Sequence, residues 1–290
     1  MTAEPPVDKQ RRAEAMLRAC DRVIVAFSGG VDSAFLLYLA RRVLGRERVL
    51  AVTAVSASLA AADLDDCARL ARELDVELRV ITTDEVSNPA YQANTSARCF
   101  FCKQELFDQL APIAQEFGAS AVLYGAIRDD LDDDRRGALA ARQAGARAPL
   151  QDAGLFKWEI RELARAAGLS VWNKPQNACL SSRIPHGRAV TPEKLRQIEQ
   201  AEAFLKSLGF TQVRVRHLGD RARIEVGKDE VARFDDAALC QRVAEQFAAI
   251  GFASVSMDPE GYRPGGADRV IAEKQLRSSE CGVRNVATRK

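Results

Sequence analysis

Residues Arg22-Val-Ile-Val-Ala-Phe27 run directly into Ser28-Gly29-Gly30-Val31-Asp32-Ser33, and this join decides how the chain is read. The first six form a short apolar, β-branched run, the pattern of a buried strand. Ser33–Leu44 then carries Phe35, Leu36, Leu39 and Ala40 at helical spacing. Between them, two adjacent glycines let the backbone turn sharply and bring amide N–H groups close to a ligand. The following helix start offers unpaired N–H groups and the positive end of a dipole, so the junction suits an anion. Ser28 and Ser33 supply hydroxyl donors, and Asp32 is placed to help hold Mg²⁺ on a bound pyrophosphate. No Gly-Lys-Ser/Thr follows, so this is not a Walker A loop, and the spacing is not G-x-G-x-x-G either.

Outward from this junction the first half alternates strand and helix. Lys9–Ala19 reads as a helix, Val49–Val55 as a strand, Leu64–Leu74 as a helix and Glu77–Ile81 as a strand. After a loop over Thr82–Arg98 come a helix at Lys103–Phe117 and a strand at Ala121–Tyr124 ending on Gly125. Repeated units of this length predict an α/β fold, a parallel sheet flanked by helices, with ligands at the carboxyl ends of its strands. An acidic loop (Asp129–Asp134), helices around Ala138–Ala144 and Lys157–Ala167, and a loop over Trp172–Gly187 follow. At Thr191-Pro192-Glu193 the pattern changes. A threonine N-cap and a first-turn proline start a helix that runs to Leu208 and stops at Gly209. A hairpin-like pair (Gln212–His217, Arg221–Val226), a helix at Ala238–Ile250 and a strand at Ser254–Met257 complete a small α+β module. The expected organisation is 1–188 for the nucleotide domain, 189–260 for the small domain, and a loosely ordered Gly/Arg-rich tail over 261–290.

The 290 residues carry a net charge of +2, from 42 Lys and Arg against 40 Asp and Glu. That balance gives no global pull toward nucleic acid or membrane, so any basic patch is local. The polar, acid-bearing N-terminal stretch does not read as a signal peptide, and no apolar run approaches the roughly 18–20 residues of a membrane span. The expectation is a cytoplasmic protein. Of seven cysteines, Cys20, Cys67 and Cys240 lie in helix-like stretches and read as small buried hydrophobes. An odd count without a secretory signal argues against a disulfide framework. Cys99 and Cys102 form a C-x-x-C pair, which alone is also compatible with a chance spacing or part of a zinc set. Cys179 lies in a polar loop beside Ser181, Ser182 and Arg183, where cations favour a thiolate. Arg214 and Arg216, two apart on a predicted strand, share one face, with Val213 and Val215 on the other. Alone, such a pair reads as a solvated face.

The Ser28–Ser33 segment resembles the PP-loop signature of ATP pyrophosphatases, which cleave ATP between the α and β phosphates. That resemblance implies AMP transfer to an acceptor oxygen with release of pyrophosphate, the adenine lying near Thr53–Ser56. Three further stretches, Asn94–Lys103 (NTSARCFFCK), Val171–Gly187 (VWNKPQNACLSSRIPHG) and Val213–Glu225 (VRVRHLGDRARIE), make nearly the whole chain similar to the LarE family. Its members are ATP-dependent sulfur transferases that make the thiocarboxylate nucleotide of a nickel-pincer cofactor. The resemblance implies adenylation of a carboxylate of pyridinium-3,5-biscarboxylic acid mononucleotide, then displacement of AMP by sulfur. Cys179 matches the sulfur-handling cysteine. In one branch that cysteine donates its own sulfur and is left as dehydroalanine. In another, three cysteines hold a [4Fe-4S] cluster whose open iron carries sulfide. Cys99 and Cys102 place this chain with the second branch, the first remaining open. Arg214 and Arg216 match residues that bind substrate phosphate, a task suited to bidentate arginine. Glu202 and Glu225 are candidates for the same site. Arg183 and Lys103 are candidates for phosphate contact or are surface charges. A homo-oligomer is also implied.

The chain departs from the family in places. Gly125–Gly137 lacks the Thr-Asn, Tyr and Pro usual there, which puts nucleotide contacts in that loop in doubt, and the acidic run is either a Mg²⁺ site or an exposed loop. Asn173 replaces a usual Asp, and His186 stands where an aromatic is common. These changes leave a different carboxylate substrate open. Other PP-loop enzymes, namely a tRNA thiolase or an amide-forming synthetase, and a non-catalytic ATP-binding regulator are the rival readings.

Overall fold

The computed structural model describes residues 4–131, 136–175 and 178–263. Along the chain the elements are α1 (Pro6–Arg18), β1 (Val23–Ala26), α2 (Val31–Leu44), β2 (Val49–Val55), α3 (Ala61–Glu73), β3 (Glu77–Thr82), α4 (Pro89–Gln92), α5 (Arg98–Phe117), β4 (Ala121–Tyr124), α6 (Arg136–Gln143), α7 (Pro149–Asp152), α8 (Lys157–Ala166), α9 (Pro192–Ser207), β5 (Val213–His217), β6 (Arg221–Val226), α10 (Ala237–Ile250) and β7 (Ser254–Met257). Among the described residues, 4–91 with 96–175 form one unit and 92–95 with 178–263 form a second.

In the first unit β1 to β4 make a parallel sheet in the order β3-β2-β1-β4. Successive side chains alternate between its faces, and both faces are covered. Val23, Val25, Val49 and Ala51 enter one core with residues of α1, α2, α3 and α8. Ile24, Leu50 and Val52 enter another with Phe107 and Leu110 of α5. That two-sided burial is why β1 and β2 read as continuous apolar runs. Each fully buried aliphatic side chain contributes about 1.5–3 kcal/mol. β1 connects to β2 on one side, whereas β3 crosses back to β4 on the other side of β1. The strand order therefore reverses at the carboxyl end of β1, where open α/β sheets bind ligands.

In the second unit β5 and β6 are antiparallel, as the hairpin pattern predicts, and β7 adds in parallel to β6. Val213, Val215, Ala222, Ile224 and Val226 pack with α9 and α10 into a separate core that includes Cys240. Thr191 caps α9, its side chain accepting from Lys194 N–H at 3.3 Å, with Pro192 at the first position.

The division between units falls at Ala178, ahead of the position near 188 suggested by the change of pattern. The reason is local bonding. Gly187 N–H donates to Asn94 O and Val190 N–H to Gln92 O. The Asn94 side-chain nitrogen lies 3.2, 2.9 and 2.9 Å from the carbonyls of Ile184, Pro185 and Arg188. Residues 92–95 thus belong with the Cys179–Arg188 segment. The expected tail lies almost wholly outside the described residues.

Candidate active site

At the end of β1, Phe27 N–H donates to Val52 O at 2.8 Å, and the buried Thr53 hydroxyl returns a bond to Phe27 O at 2.8 Å. The turn that follows is held by its own serines. Ser33 Oγ accepts from Ser28 N–H at 3.3 Å, lies 3.1 Å from Ser28 Oγ, and donates to Gly30 O at 3.1 Å. Gly29 sits at φ +67°, a left-handed conformation, and a Cβ there would lie 2.8 Å from Cys67 Sγ. Gly30 is the N-cap of α2 and provides no side-chain cap. The first amides of a fourteen-residue helix are thereby left for a ligand. At the end of β4, a Cβ on Gly125 would lie 2.8 Å from Ser33 N, so a glycine is needed for α2 to start this close to the strand.

Asp32 stands in the first turn of α2. Its Oδ2 accepts from Lys157 Nζ at 2.6 Å, while Oδ1 is buried with no partner. Burial raises the Asp32 carboxyl above its ordinary value, against the pull of the Lys157 ammonium. A buried carboxylate oxygen without a donor fits a cation ligand, and Mg²⁺ on pyrophosphate suits that oxygen chemistry. A second lysine approaches the same turn: Lys174 Nζ lies 3.3 Å from Gly29 O, 2.7 Å from Asp66 and 3.7 Å from Asp63. Two ammonium groups therefore flank the glycine turn. Sequence reading assigned neither a role. Lys174 carried a signal, its place in the Trp-Asn-Lys-Pro segment, whereas Lys157 carried none beyond starting a helix.

The acidic loop is partly explained by local bonding. Asp129 accepts from Lys157 N–H at 2.9 Å and Asp130 from Ile127 N–H at 2.9 Å, so both hold backbone. Asp132–Asp134 lie outside the described residues. Lys103, on α5, places its ammonium 5.0 Å from the Tyr124 ring centroid, a cation–π contact at the end of β4. Cys99 is exposed in the first turn of α5, and Cys102, at the start of the next turn, is half-buried. Three residues apart on a helix, they share a face.

In the second unit Cys179 is half-buried and immediately precedes a 3₁₀ turn, Leu180–Arg183. Arg183, read in sequence as a phosphate contact or a surface charge, is 2% exposed, which overturns the surface alternative. Its guanidinium grips Glu202 with two bonds, of 2.8 and 3.0 Å, and also donates to Ala178 O and Cys179 O. It anchors the main chain on both sides of the Cys179 peptide to α9. Glu202 further accepts from Val215 N–H at 3.0 Å.

Arg214 and Arg216 are buried, so their face is not the solvated one that their spacing alone suggested. Arg216 donates to Glu225 at 2.7 Å and to Ser182 O at 3.1 Å, and its Nε is buried without an acceptor. Arg223 donates to the other Glu225 oxygen at 2.8 Å. Arg214 donates to Val213 O and lies over the Tyr262 ring; burial lowers its pKa. Three buried guanidinium groups thus bond to the carboxylates of Glu202 and Glu225, with the buried Arg214 on the same strand as Arg216. The unpartnered Arg216 Nε is a donor that an anion could engage.

The residues expected to hold iron are divided between the units: Cys99 and Cys102 in the first, Cys179 in the second. Three thiols are the right donors for an iron–sulfur cluster. Among the described residues no three His, Cys, Asp or Glu side chains are arranged to hold a metal ion.

A parallel sheet with a Ser-Gly-Gly-x-Asp-Ser turn at its switch point, opening an uncapped helix, defines a PP-loop nucleotide-binding protein. The NAD synthase family model accordingly matches residues 12–107. Over 268 residues the chain is 38% identical to the pyridinium-3,5-bisthiocarboxylic acid mononucleotide synthase of Lactiplantibacillus plantarum, covering 92% of this chain and 96% of that protein, and it belongs to that family, LarE. It is also 40% identical to an uncharacterized protein of Synechocystis sp., over 87% of this chain and 94% of the other. A third relative, an uncharacterized protein of Methanocaldococcus jannaschii, is 26% identical over 83% and 91%.

Proposed function

We propose that this chain is an ATP-dependent sulfur transferase that converts a carboxylate of pyridinium-3,5-biscarboxylic acid mononucleotide to a thiocarboxylate. The observation that carries this reading is the uncapped start of α2 behind Ser28-Gly29-Gly30, with Asp32 Oδ1 unpartnered and Lys157 and Lys174 alongside.

The α2 amides, Ser28 and Ser33 hold the β and γ phosphates, and the two lysines offset charge on the leaving pyrophosphate. Asp32 would hold Mg²⁺, which would supply neutralisation of phosphate charge. A substrate carboxylate oxygen attacks the α-phosphorus, the bond to the bridging oxygen breaks, and pyrophosphate leaves. The carbonyl carbon now carries AMP, a good leaving group. A sulfur nucleophile adds to that carbon and AMP departs. Cys179 handles the sulfur. Arg183 fixes its peptide, and Arg214 and Arg216 receive the substrate's phosphate, with Glu202 and Glu225 keeping the guanidinium planes in place. Lys103 lies over Tyr124 as a further phosphate contact. Cys99, Cys102 and Cys179 are the candidate ligands of a [4Fe-4S] cluster, which would supply sulfide. Among the described residues no helix is long and apolar enough to cross a membrane. We assign the protein to the cytoplasm, as a homo-oligomer.

The test is substrate-stimulated ATP–pyrophosphate exchange together with mass spectrometry of the product and of the protein. The expected result is exchange in wild type and in Cys179→Ala, with thiocarboxylate formed by wild type alone. Amide formation surviving in Cys179→Ala would point to a synthetase. Strongly salt-dependent RNA binding would point to a tRNA thiolase, and nucleotide binding without exchange to a regulator. Iron and sulfide content after anaerobic purification of wild type and Cys99→Ala reports on the cluster. Cys179 lighter by one H₂S after turnover marks the sacrificial route.

A further inference from the structure

A buried carboxylate lies at the same sheet edge and takes no part in the steps above. Glu85 begins the short 3₁₀ turn Glu85–Ser87 after β3 and is 3% exposed. Its Oε1 accepts from Ser56 Oγ at 2.6 Å and Ser58 Oγ at 2.7 Å. The two hydroxyls also lie 2.9 Å from each other, so this triad of oxygens uses both serine protons within itself. Oε2 is buried and meets no donor. A buried acceptor left in this state is unfavourable, and a ligand N–H or O–H would relieve it.

Its place in the fold selects the ligand. Ser56 is the first residue after β2, and Glu85 follows β3 closely, so the cluster lies at the carboxyl ends of the sheet. β1, β2 and β3 are neighbours in that order. At about 4.8 Å per strand, the end of β3 lies roughly 10 Å from the end of β1, where the phosphate turn begins. A nucleotide held by its phosphates at that turn and lying across the end of β2 carries the outer edge of its base to this distance. On adenine that edge bears the exocyclic amine, a donor; on a 6-oxopurine it bears an acceptor. Ser56 is half-buried and Ala57 exposed, which puts the cluster just beneath the surface, so contact with a base involves movement of the Ser56–Ser58 turn.

We propose that Glu85 Oε2 accepts a hydrogen bond from the exocyclic amine of the bound ATP and selects adenine over 6-oxopurine nucleotides. This rests on the reading of the chain as an ATP-using enzyme. Glu85→Gln keeps an acceptor for both serines and puts an NH₂ donor where Oε2 was.

The experiment is calorimetric titration of the full chain, wild type and Glu85→Gln, with ATP, ITP and purine riboside triphosphate, which has no group at that position. Wild type is expected to bind ATP roughly 10- to 100-fold more tightly than ITP, the range for one hydrogen bond to a charged group. Purine riboside triphosphate should fall between them. In Glu85→Gln the ATP-to-ITP ratio should fall to one or below. An unchanged ratio overturns the proposal, including an equal loss for both nucleotides, which is what a ribose contact or a purely structural role predicts. Equal binding of ATP and purine riboside triphosphate by wild type overturns it without any variant. Failure of wild type to bind any of the three overturns the ATP-dependent reading as well, so the two failures are distinguishable.

Discussion

Lys157 Nζ lies 2.6 Å from Asp32 Oδ2, joining the first residue of α8 to the first turn of α2 across 125 positions of sequence. The contact orients one carboxylate oxygen toward the lysine and leaves the other for a cation. Asp32→Asn removes that charge and is expected to lower pyrophosphate exchange by about 100-fold or more, the scale of losing one preorganised electrostatic partner. Lys157→Met should cost less, since Lys174 remains beside the turn. Steady-state exchange rates at saturating ATP check both.

Gly29 and Gly125 should respond differently to alanine. Gly29→Ala meets a left-handed φ and the Cys67 thiol. It should cost about 1–2 kcal/mol from the backbone alone, with weaker ATP binding. Adding Cys67→Ala should recover part of the loss. Gly125→Ala meets the backbone of Ser33, which no side-chain replacement relieves. Chemical denaturation and ATP titration of the three variants separate these cases.

Removing the partner of Arg183 should be costly in the second unit. Glu202→Ala strands a guanidinium that is 2% exposed, which typically destabilises by about 3–5 kcal/mol. The melting temperature should fall by roughly 10 °C. Glu202→Gln keeps acceptor geometry at one oxygen and should fall less. Thermal unfolding followed by circular dichroism provides the measurement.

Acid should weaken the second unit through His217. The Gln197 amide donates to Ile250 O, so its oxygen faces His217 Nε2, which must carry the proton. Nδ1 is buried without a partner, and burial, together with Lys194, lowers the pKa from 6.5 to about 4. The unfolded chain therefore binds this proton more readily than the folded one. The contribution, up to about 3 kcal/mol, is complete above pH 6.5 and is lost as pH falls toward 4. His217→Gln should flatten that part of the stability profile between pH 7 and 5, measured by denaturation at each pH.

Much of this architecture was legible from residue order because its determinants are local. Ser28–Ser33 declared itself between an apolar run and a helix, and Thr191-Pro192 marked the start of α9 as its capping geometry requires. Arg214 and Arg216 were recognisable as a pair because a strand repeats every two residues. Long-range pairings left less trace. Nothing near Lys157 indicates that its partner is Asp32, and Arg183 reads equally as a phosphate contact or a surface charge until Glu202 is brought against it. Glu85 sits in what looks like a plain polar loop, where only the convergence of Ser56 and Ser58 gives it meaning. The change of pattern at Thr191 marks where a helix begins, whereas the division of the chain follows the bonds of Asn94.

Asn94 stands at φ +51° and offers one amide group to three carbonyls of a strand of chain ninety residues further on. A gene fragment opening at codon 178 would encode the sheet and helices of the small unit but not this clasp, and those carbonyls would turn to water instead. The module is therefore not a cassette that recombination can lift out at a single cut. During synthesis, the segment around Cys179 can settle only onto a residue that left the ribosome long before it.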